Sequence, residues 1–293
     1  MEINETHIYF IEELVENYAG VLLERLGNRR KIAKKISEQM RLFNIDLPSE
    51  YIHKLENYKE EQACMKSLVE SLTVGESYFF RNLSQFEYLY KQILPEFVRL
   101  HGLSRPCKIW SLGCSTGEEA YSLAIILKAF QSRNVAFDFD LRACDISNKS
   151  LEAAKNAEYT QRSFRIPLEE IENALGFAVS RYGLYHTEFK PSRTLLNAVK
   201  YDYLNLKDLD SLHILKYSDI IFCRNVLIYF DSDLRDALAE KFYDSLFPSG
   251  SLFLGETESL SNGSAQGFDL NNMKNSYIYK KADIQGDKCG KNI

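Results

Sequence analysis

Residues 109–121 read IWSLGCSTGEEAY. Apolar Ile109, Trp110 and Leu112 run into the small residues Gly113 to Gly117. Glu118 and Glu119 then open a stretch with Ala120, Leu123, Ala124 and Leu127 at helical spacing. The order is strand (Lys108–Gly113), tight turn, helix (Gly117–Gln131). That order is one half of a parallel-sheet unit.

The same rhythm continues in both directions. Ala136–Cys144 alternates Phe137, Phe139, Leu141 and Ala143 and predicts a strand, and Asn148–Asn156 predicts a helix. Further on come a buried strand at Asp219–Cys223, a helix at Asp231–Leu246, a turn at Pro248–Gly250 and a strand at Ser251–Leu254. Strands alternating with helices predict an α/β domain with a largely parallel, doubly wound sheet. Residues 1–72 are helical in pattern, with helices expected over Glu5–Tyr18, Val21–Phe43, Ser49–Asn57 and Glu60–Leu72. Residues 73–101 read as a linker and a first helix, Ser84–His101, interrupted at Pro95. The catalytic-type domain is expected over 102–282. Residues 160–200 break its rhythm and suggest an insert with short strands at Leu184–Phe189 and Thr194–Val199. The polar end, 283–293, reads as a disordered tail.

The 293 residues include 18 Tyr and 18 Phe but one Trp, so aromatic packing should be heavy. A net charge of −5 argues against a nucleic-acid binder. No run approaches ~18 consecutive apolar residues, and MEINETHIYF lacks the order of a secretory signal, so an integral membrane protein is not expected. The six scattered cysteines form no CxxC pair and no Cys/His cluster. They predict reduced thiols, a cytoplasmic location and no metal site.

Gly113 and Ser115 belong to a turn whose small residues let a ligand approach the backbone, with free N–H groups at the helix start. Two carboxylates there would repel a pyrophosphate. They would suit a ligand carrying positive charge, such as the ammonium and sulfonium of S-adenosylmethionine. The plainer reading is that Glu118 and Glu119 complement the helix dipole. Asp145 follows the second strand, where a carboxylate accepts from two ribose hydroxyls. It could instead cap the next helix, although Ser147 is placed to do that.

The segments SYFFRN (77–82), SLGCSTGEEAYSLA (111–124), DIIFCRNVLIYFD (219–231) and FPSGSLFLGETESL (247–260) occur in the order seen in the CheR family, and the chain resembles that family from its helical start onward. The family comprises protein-glutamate O-methyltransferases that modify chemotaxis receptors. The resemblance implies a Rossmann-like methyltransferase sheet, an all-helical N-terminal domain and a small inserted antiparallel β-subdomain, which matches the irregular 160–200 segment. It implies S-adenosylmethionine as cofactor and S-adenosylhomocysteine as product. Gly75 and Ser77 stand where the family has Asn-x-Thr; Ser77 keeps the hydroxyl and Gly75 has no side chain. Arg81 matches the family arginine, Glu119 the acidic cofactor contact and Asp145 the ribose carboxylate. Asn205 and Leu206 match the pair beside the adenine, and Arg224, Asn225 and Tyr229 the segment lining cofactor and substrate. Glu256 stands where a histidine is usual.

A glutamate acceptor is ionised at neutral pH, so methyl transfer to it requires no general base. Positioning and desolvation remain as the means of catalysis. Arg81 and Arg224 are the candidates to hold the acceptor carboxylate; either could instead pair with Glu118, Glu119 or Asp145. Tyr229 is a candidate to orient it and could equally be core. The run Arg25–Arg41 is basic against an acidic chain. It reads as a docking helix for an acidic helical partner, such as a receptor's cytoplasmic domain, or as a solvated face. A monomer is expected. An enzyme of the same fold with another acceptor and a non-catalytic cofactor-binding sensor are the alternatives.

Overall fold

The computed structural model describes residues 3–60, 62–73, 75–273 and 276–282. The expected tail at 283–293 and Cys289 lie outside the described residues. The chain begins with four helices: α1 (Glu5–Ala19), α2 (Arg29–Leu42), α3 (Pro48–Glu56) and α4 (Gln62–Leu72). The stretch predicted as one helix from Val21 is broken. Gly20 takes a left-handed φ of 72°, a 3-10 turn covers Leu23–Arg25, and Asn28 caps α2 by accepting from the Lys31 amide. Arg25 therefore lies outside the basic helix.

After α4 come α5 (Leu83–Tyr88), a wide π turn (Leu89–Ile93) and α6 (Leu94–His101). Pro95 sits in the first turn of α6, where its missing N–H costs least. The sheet then builds from β1 (Cys107–Leu112), β2 (Phe139–Asp145), β3 (Val199–Tyr203), β4 (Ser218–Cys223), β5 (Leu246–Leu254), β6 (Phe268–Met273) and β7 (Ser276–Lys281). The crossing helices are α7 (Glu118–Arg133), α8 (Asn148–Asn156), α9 (Leu168–Leu175), α10 (Arg193–Leu196) and α11 (Ser232–Ser245). The sheet order is β3-β2-β1-β4-β5-β7-β6, parallel except that β7 runs antiparallel to β5 and β6.

Both sheet faces are covered, which explains the near-continuous apolar strands. Ile109, Leu141, Ile220, Phe222 and Phe253 pack with α5, α6 and α7. Trp110, Leu112, Ile221, Cys223 and Leu252 pack on the other face with α11 and with the buried residues of α1–α4. The N-terminal helices thus share a core with the sheet.

The insert differs from expectation. Residues 160–200 hold α9, α10 and short 3-10 turns, and the antiparallel subdomain reduces to a single bridge between Leu184 and Phe189. Thr194 to Leu196 are helical because Ser192 caps α10 by accepting from the Leu195 amide; the strand begins only at Val199. Leu168–Leu175 buries Ile171 and Leu175 at i, i+4 spacing and closes on Gly176, which is helix grammar.

Candidate active site

The parallel strands deliver the site to their carboxyl ends, where α/β sheets bind ligands. A cavity of about 350 Å³ opens there, lined among others by Gly113, Ser115, Glu119, Asp145, Leu204, Arg224 and Tyr229.

The turn after β1 is shaped by left-handed residues: Gly113 (φ 69°), Ser115 (φ 50°) and Gly117 (φ 94°). A Cβ at Gly113 would lie 2.4 Å from Val226 Cγ2, so side-chain crowding and backbone angle both demand glycine. The Ser115 amide donates to Asp145 Oδ2 at 2.8 Å and the Ser147 amide to Oδ1 at 2.9 Å. Ser147 also caps α8, accepting from the Ser150 amide. Asp145 is thereby held at the rim of the cavity, free of capping duty. Burial pushes its carboxyl above the ordinary aspartate value, against the lowering effect of the Ser147, Ser115 and Ile146 amides.

The two glutamates of α7 divide. Glu118 is buried and turned inward, accepting from Thr116 Oγ1 and Ser163 Oγ at 2.7 Å each. Glu119 lines the cavity. Its Oε1 accepts from Ser111 Oγ and its Oε2 from Arg224 Nε, both at 2.7 Å.

The two arginines divide as well. The Arg224 side chain is 1% exposed, and its Nε and Nη1 are hydrogen-bonded inside the protein. Besides Glu119, it donates through Nη1 to the Arg81 carbonyl (2.7 Å) and Gln85 Oε1 (2.8 Å), and it stacks against Phe86 and Phe222. The pairing of Arg224 with Glu119, the alternative weighed from the sequence, is present, and Nε and Nη1 are engaged inside the protein while the residue still lines the cavity. Arg81 lines the cavity with one internal bond, Nη1 to the Glu76 carbonyl at 2.8 Å, and has no ion pair among the described residues. It is aimed by its neighbours. Phe79 and Phe80 are buried at 2% and 0% exposure, and the Phe80 amide donates to Ser122 Oγ. Phe80 (φ 57°) and Asn82 (φ 61°) turn the chain sharply on either side of Arg81.

A third wall is loop 225–230. Asn225 adopts φ 60°. Buried Glu258 holds this loop, accepting from the amides of Asn225 (2.6 Å), Ile228 (3.2 Å) and Gly255 (2.7 Å). Glu258 was not singled out from the sequence, although it lies two residues beyond Glu256 in a segment that was. Glu256 itself is exposed and not part of the cavity lining. Tyr229 borders the cavity, and its hydroxyl has no hydrogen bond among the described residues. Gly75 lies against the turn, where a Cβ would meet Ser115 Oγ at 2.8 Å, and Ser77 lies beside it on the lining.

The roof comes from the N-terminal helices. Ala19 and Val21 line the cavity with Leu204, Leu206 and Phe230. Asn205 Nδ2 donates to the Tyr18 carbonyl at 2.7 Å. Asn205 thus ties α1 to the post-β3 loop while bordering the cavity. All of Gly75, Ser77, Arg81, Gly113, Ser115, Glu119, Asp145, Asn205, Leu206, Arg224, Asn225 and Tyr229 meet at this one cavity.

A carboxylate at its rim, a second within it, an apolar wall and a narrow glycine turn fit a nucleoside with a cationic side chain; they do not fit a pyrophosphate. A doubly wound sheet carrying such a cavity at its strand ends defines the class of S-adenosylmethionine-dependent methyltransferases. The family model described as "CheR methyltransferase, SAM binding domain" matches residues 75–277, and the chain belongs to that family. It is 33% identical to chemotaxis protein methyltransferase 2 of Vibrio cholerae over 67% of this chain and 66% of that one. It is 29% identical to chemotaxis protein methyltransferase 1 of Pseudomonas aeruginosa, covering 85% and 88% of the two chains. It is 31% identical to the chemotaxis protein methyltransferase of Borreliella burgdorferi, covering 85% and 86%. S-adenosylmethionine is the cofactor.

Proposed function

We propose that this enzyme esterifies glutamate side chains of a chemoreceptor's cytoplasmic domain, and that it acts in the cytoplasm, where its buried thiols stay reduced. The observation that carries this reading is the contrast between the two arginines. Arg224 is held by three bonds from Nε and Nη1 to Glu119, Gln85 and a carbonyl, whereas Arg81 reaches the same cavity with one side-chain hydrogen bond among the described residues. A guanidinium fork at the cavity is the natural partner of a carboxylate acceptor.

When bound, the cofactor supplies a methyl group activated on a sulfonium. Asp145 would hold its ribose, Glu119 its ammonium, and Gly113 and Ser115 its backbone-facing edge, with Leu206 and Asn205 beside the base. Arg81 would hold one oxygen of the acceptor carboxylate and Tyr229 Oη would donate to the other, leaving a lone pair turned inward. The acceptor is already ionised, so no residue need remove a proton. The apolar roof of Ala19, Val21 and Phe230 excludes water from the approach.

Docking is assigned to α2. Arg29 ties α2 to α1 through Glu5 and Glu12, Lys35 is turned onto the Ser71 carbonyl, and Lys34 pairs with Glu38 on the surface of α2 itself. Arg30, Lys31, Lys34 and Arg41 remain exposed, a patch complementary to an acidic helix.

The test is incubation with radiolabelled S-adenosylmethionine and purified receptor cytoplasmic domains. Base-labile label on receptor glutamates is the expected result. Label only on another acceptor would leave a methyltransferase of different specificity, and cofactor binding without label on any acceptor would leave a sensor.

A further inference from the structure

Three successive carbonyls carry Tyr229 into the cavity, and all three are capped from the N-terminal helices. Arg25 Nη1 donates to the Ile228 carbonyl at 3.0 Å and to the Phe230 carbonyl at 2.7 Å. Between them, the Tyr229 carbonyl accepts from the Leu22 amide at 2.9 Å. On the opposite edge of the same loop, Glu258 collects the amides of Asn225 and Ile228. The loop is therefore gripped by a cation on its carbonyls and an anion on its amides.

The grip matters because the loop has little regular structure of its own. It is one 3-10 turn, Leu227–Tyr229, following the left-handed Asn225. Such a turn leaves carbonyls unpaired. Charge-assisted bonds to them are stronger than neutral ones. The 3-10 turn that carries Arg25 sits between Gly20 and Gly27, both at positive φ, so it is a separate device from α2.

We infer that Arg25 is a positioning residue for Tyr229, making the N-terminal helical unit part of the catalytic apparatus as well as the receptor-facing one. The inference rests on the reading of Tyr229 given above. Arg25 touches neither cavity nor acceptor; it acts through the backbone on either side of the tyrosine. Exchange of Arg25 for an uncharged side chain of similar length leaves the cavity wall intact and frees the loop to shift.

The test uses the full chain and a receptor domain that accepts label in the assay above. Arg25→Met should lower kcat roughly tenfold to a hundredfold, the scale of an ångström-level misplacement. KM for S-adenosylmethionine, calorimetric affinity for S-adenosylhomocysteine and the thermal midpoint should stay close to those of the unchanged protein. Arg25→Lys, which keeps the cation, should recover part of the rate. Leu22→Pro removes the donor to the Tyr229 carbonyl along with a half-buried side chain that is not part of the cavity lining; Leu22 has φ −77°, which proline accepts, so the variant should fold and show the same kcat defect. In a Tyr229→Phe background, Arg25→Met should cost nothing more. Losses that simply multiply, or full turnover in both Arg25→Met and Leu22→Pro, overturn the positioning role. Full turnover in Tyr229→Phe overturns the tyrosine's role, and the inference with it.

Discussion

Arg224 Nε donates to Glu119 Oε2 at 2.7 Å, joining the end of β4 to the first turn of α7 across the floor of the cavity. Removing one partner of such a pair leaves a buried charge uncompensated, at about 3–5 kcal/mol. Arg224→Ala should therefore lower the thermal midpoint and also weaken cofactor binding, since Glu119 and the Arg81 carbonyl both lose their anchor. Arg224→Lys should recover little, because an ammonium cannot span three acceptors set in a plane. A melting curve indistinguishable from that of the unchanged protein would rule out the structural assignment.

Arg81 predicts the opposite pattern. Its side chain makes one hydrogen bond among the described residues, to the Glu76 carbonyl, so Arg81→Ala should cost about 1 kcal/mol or less in stability. Methyl transfer should nevertheless disappear. Near-normal turnover in this variant would sink its role as the acceptor's clamp.

Asp145 sets a pH dependence. The ionised carboxylate is the form that accepts from two hydroxyls, so protonation competes with cofactor binding. Burial has raised its value above that of an ordinary aspartate, so affinity for S-adenosylhomocysteine should weaken as pH falls through that raised value, starting above the usual aspartate range. In the same window the cofactor-free protein should lose stability as pH rises, since its folded state holds the proton more tightly than the unfolded state. Calorimetric affinity that stays constant down to the ordinary aspartate range would contradict this.

Glu258 offers two oxygens to three amides, so Glu258→Gln would turn an –NH2 toward backbone donors. The unmade bonds should cost about 1–3 kcal/mol. Turnover should fall as well, because the loop carrying Tyr229 loses one side of its grip. Unchanged turnover and stability would show that the buried carboxylate is dispensable.

Reversal of Arg30, Lys31 and Lys34 to glutamate should raise KM for the receptor and leave S-adenosylhomocysteine affinity intact. Arg29 is excluded from the set because its pairs with Glu5 and Glu12 tie α2 to α1. An unchanged receptor KM would return the basic face of α2 to the role of a solvated surface.

The strand–turn–helix at 109–121 was legible because its signals are local. Apolar period, small residues and paired acids all fall within one turn of one another. The Ser147 cap and the helix at Asn148–Asn156 were legible for the same reason, whereas the interruption expected at Pro95 falls earlier, in the π turn Leu89–Ile93. The hairpin of β6 and β7 was not, because FDLNNM at Phe268–Met273 alternates over only four residues and carries one Asp and two Asn, which strands disfavour. The β-subdomain read into 160–200 failed because Leu184–Phe189 makes one bridge without a third strand to extend it.

Residue types and their order along the chain were enough to specify an α/β methyltransferase and the dozen residues that meet at one cavity. Which of those side chains remain free was decided only by the tertiary structure. Arg81 and Arg224 are alike in sequence, and so are Glu118 and Glu119. Burial against Phe86 and Phe222 sets Arg224 Nε and Nη1 against partners inside the protein, and Glu118 lies on the buried face of α7, where Thr116 and Ser163 donate to it. Arg25, one cation in a basic run, became a clamp on loop 225–230 because Gly20 and Gly27 turn it away from α2 and toward carbonyls about two hundred positions later. Contacts at such separations leave no local pattern, since their geometry exists only once both segments share a core.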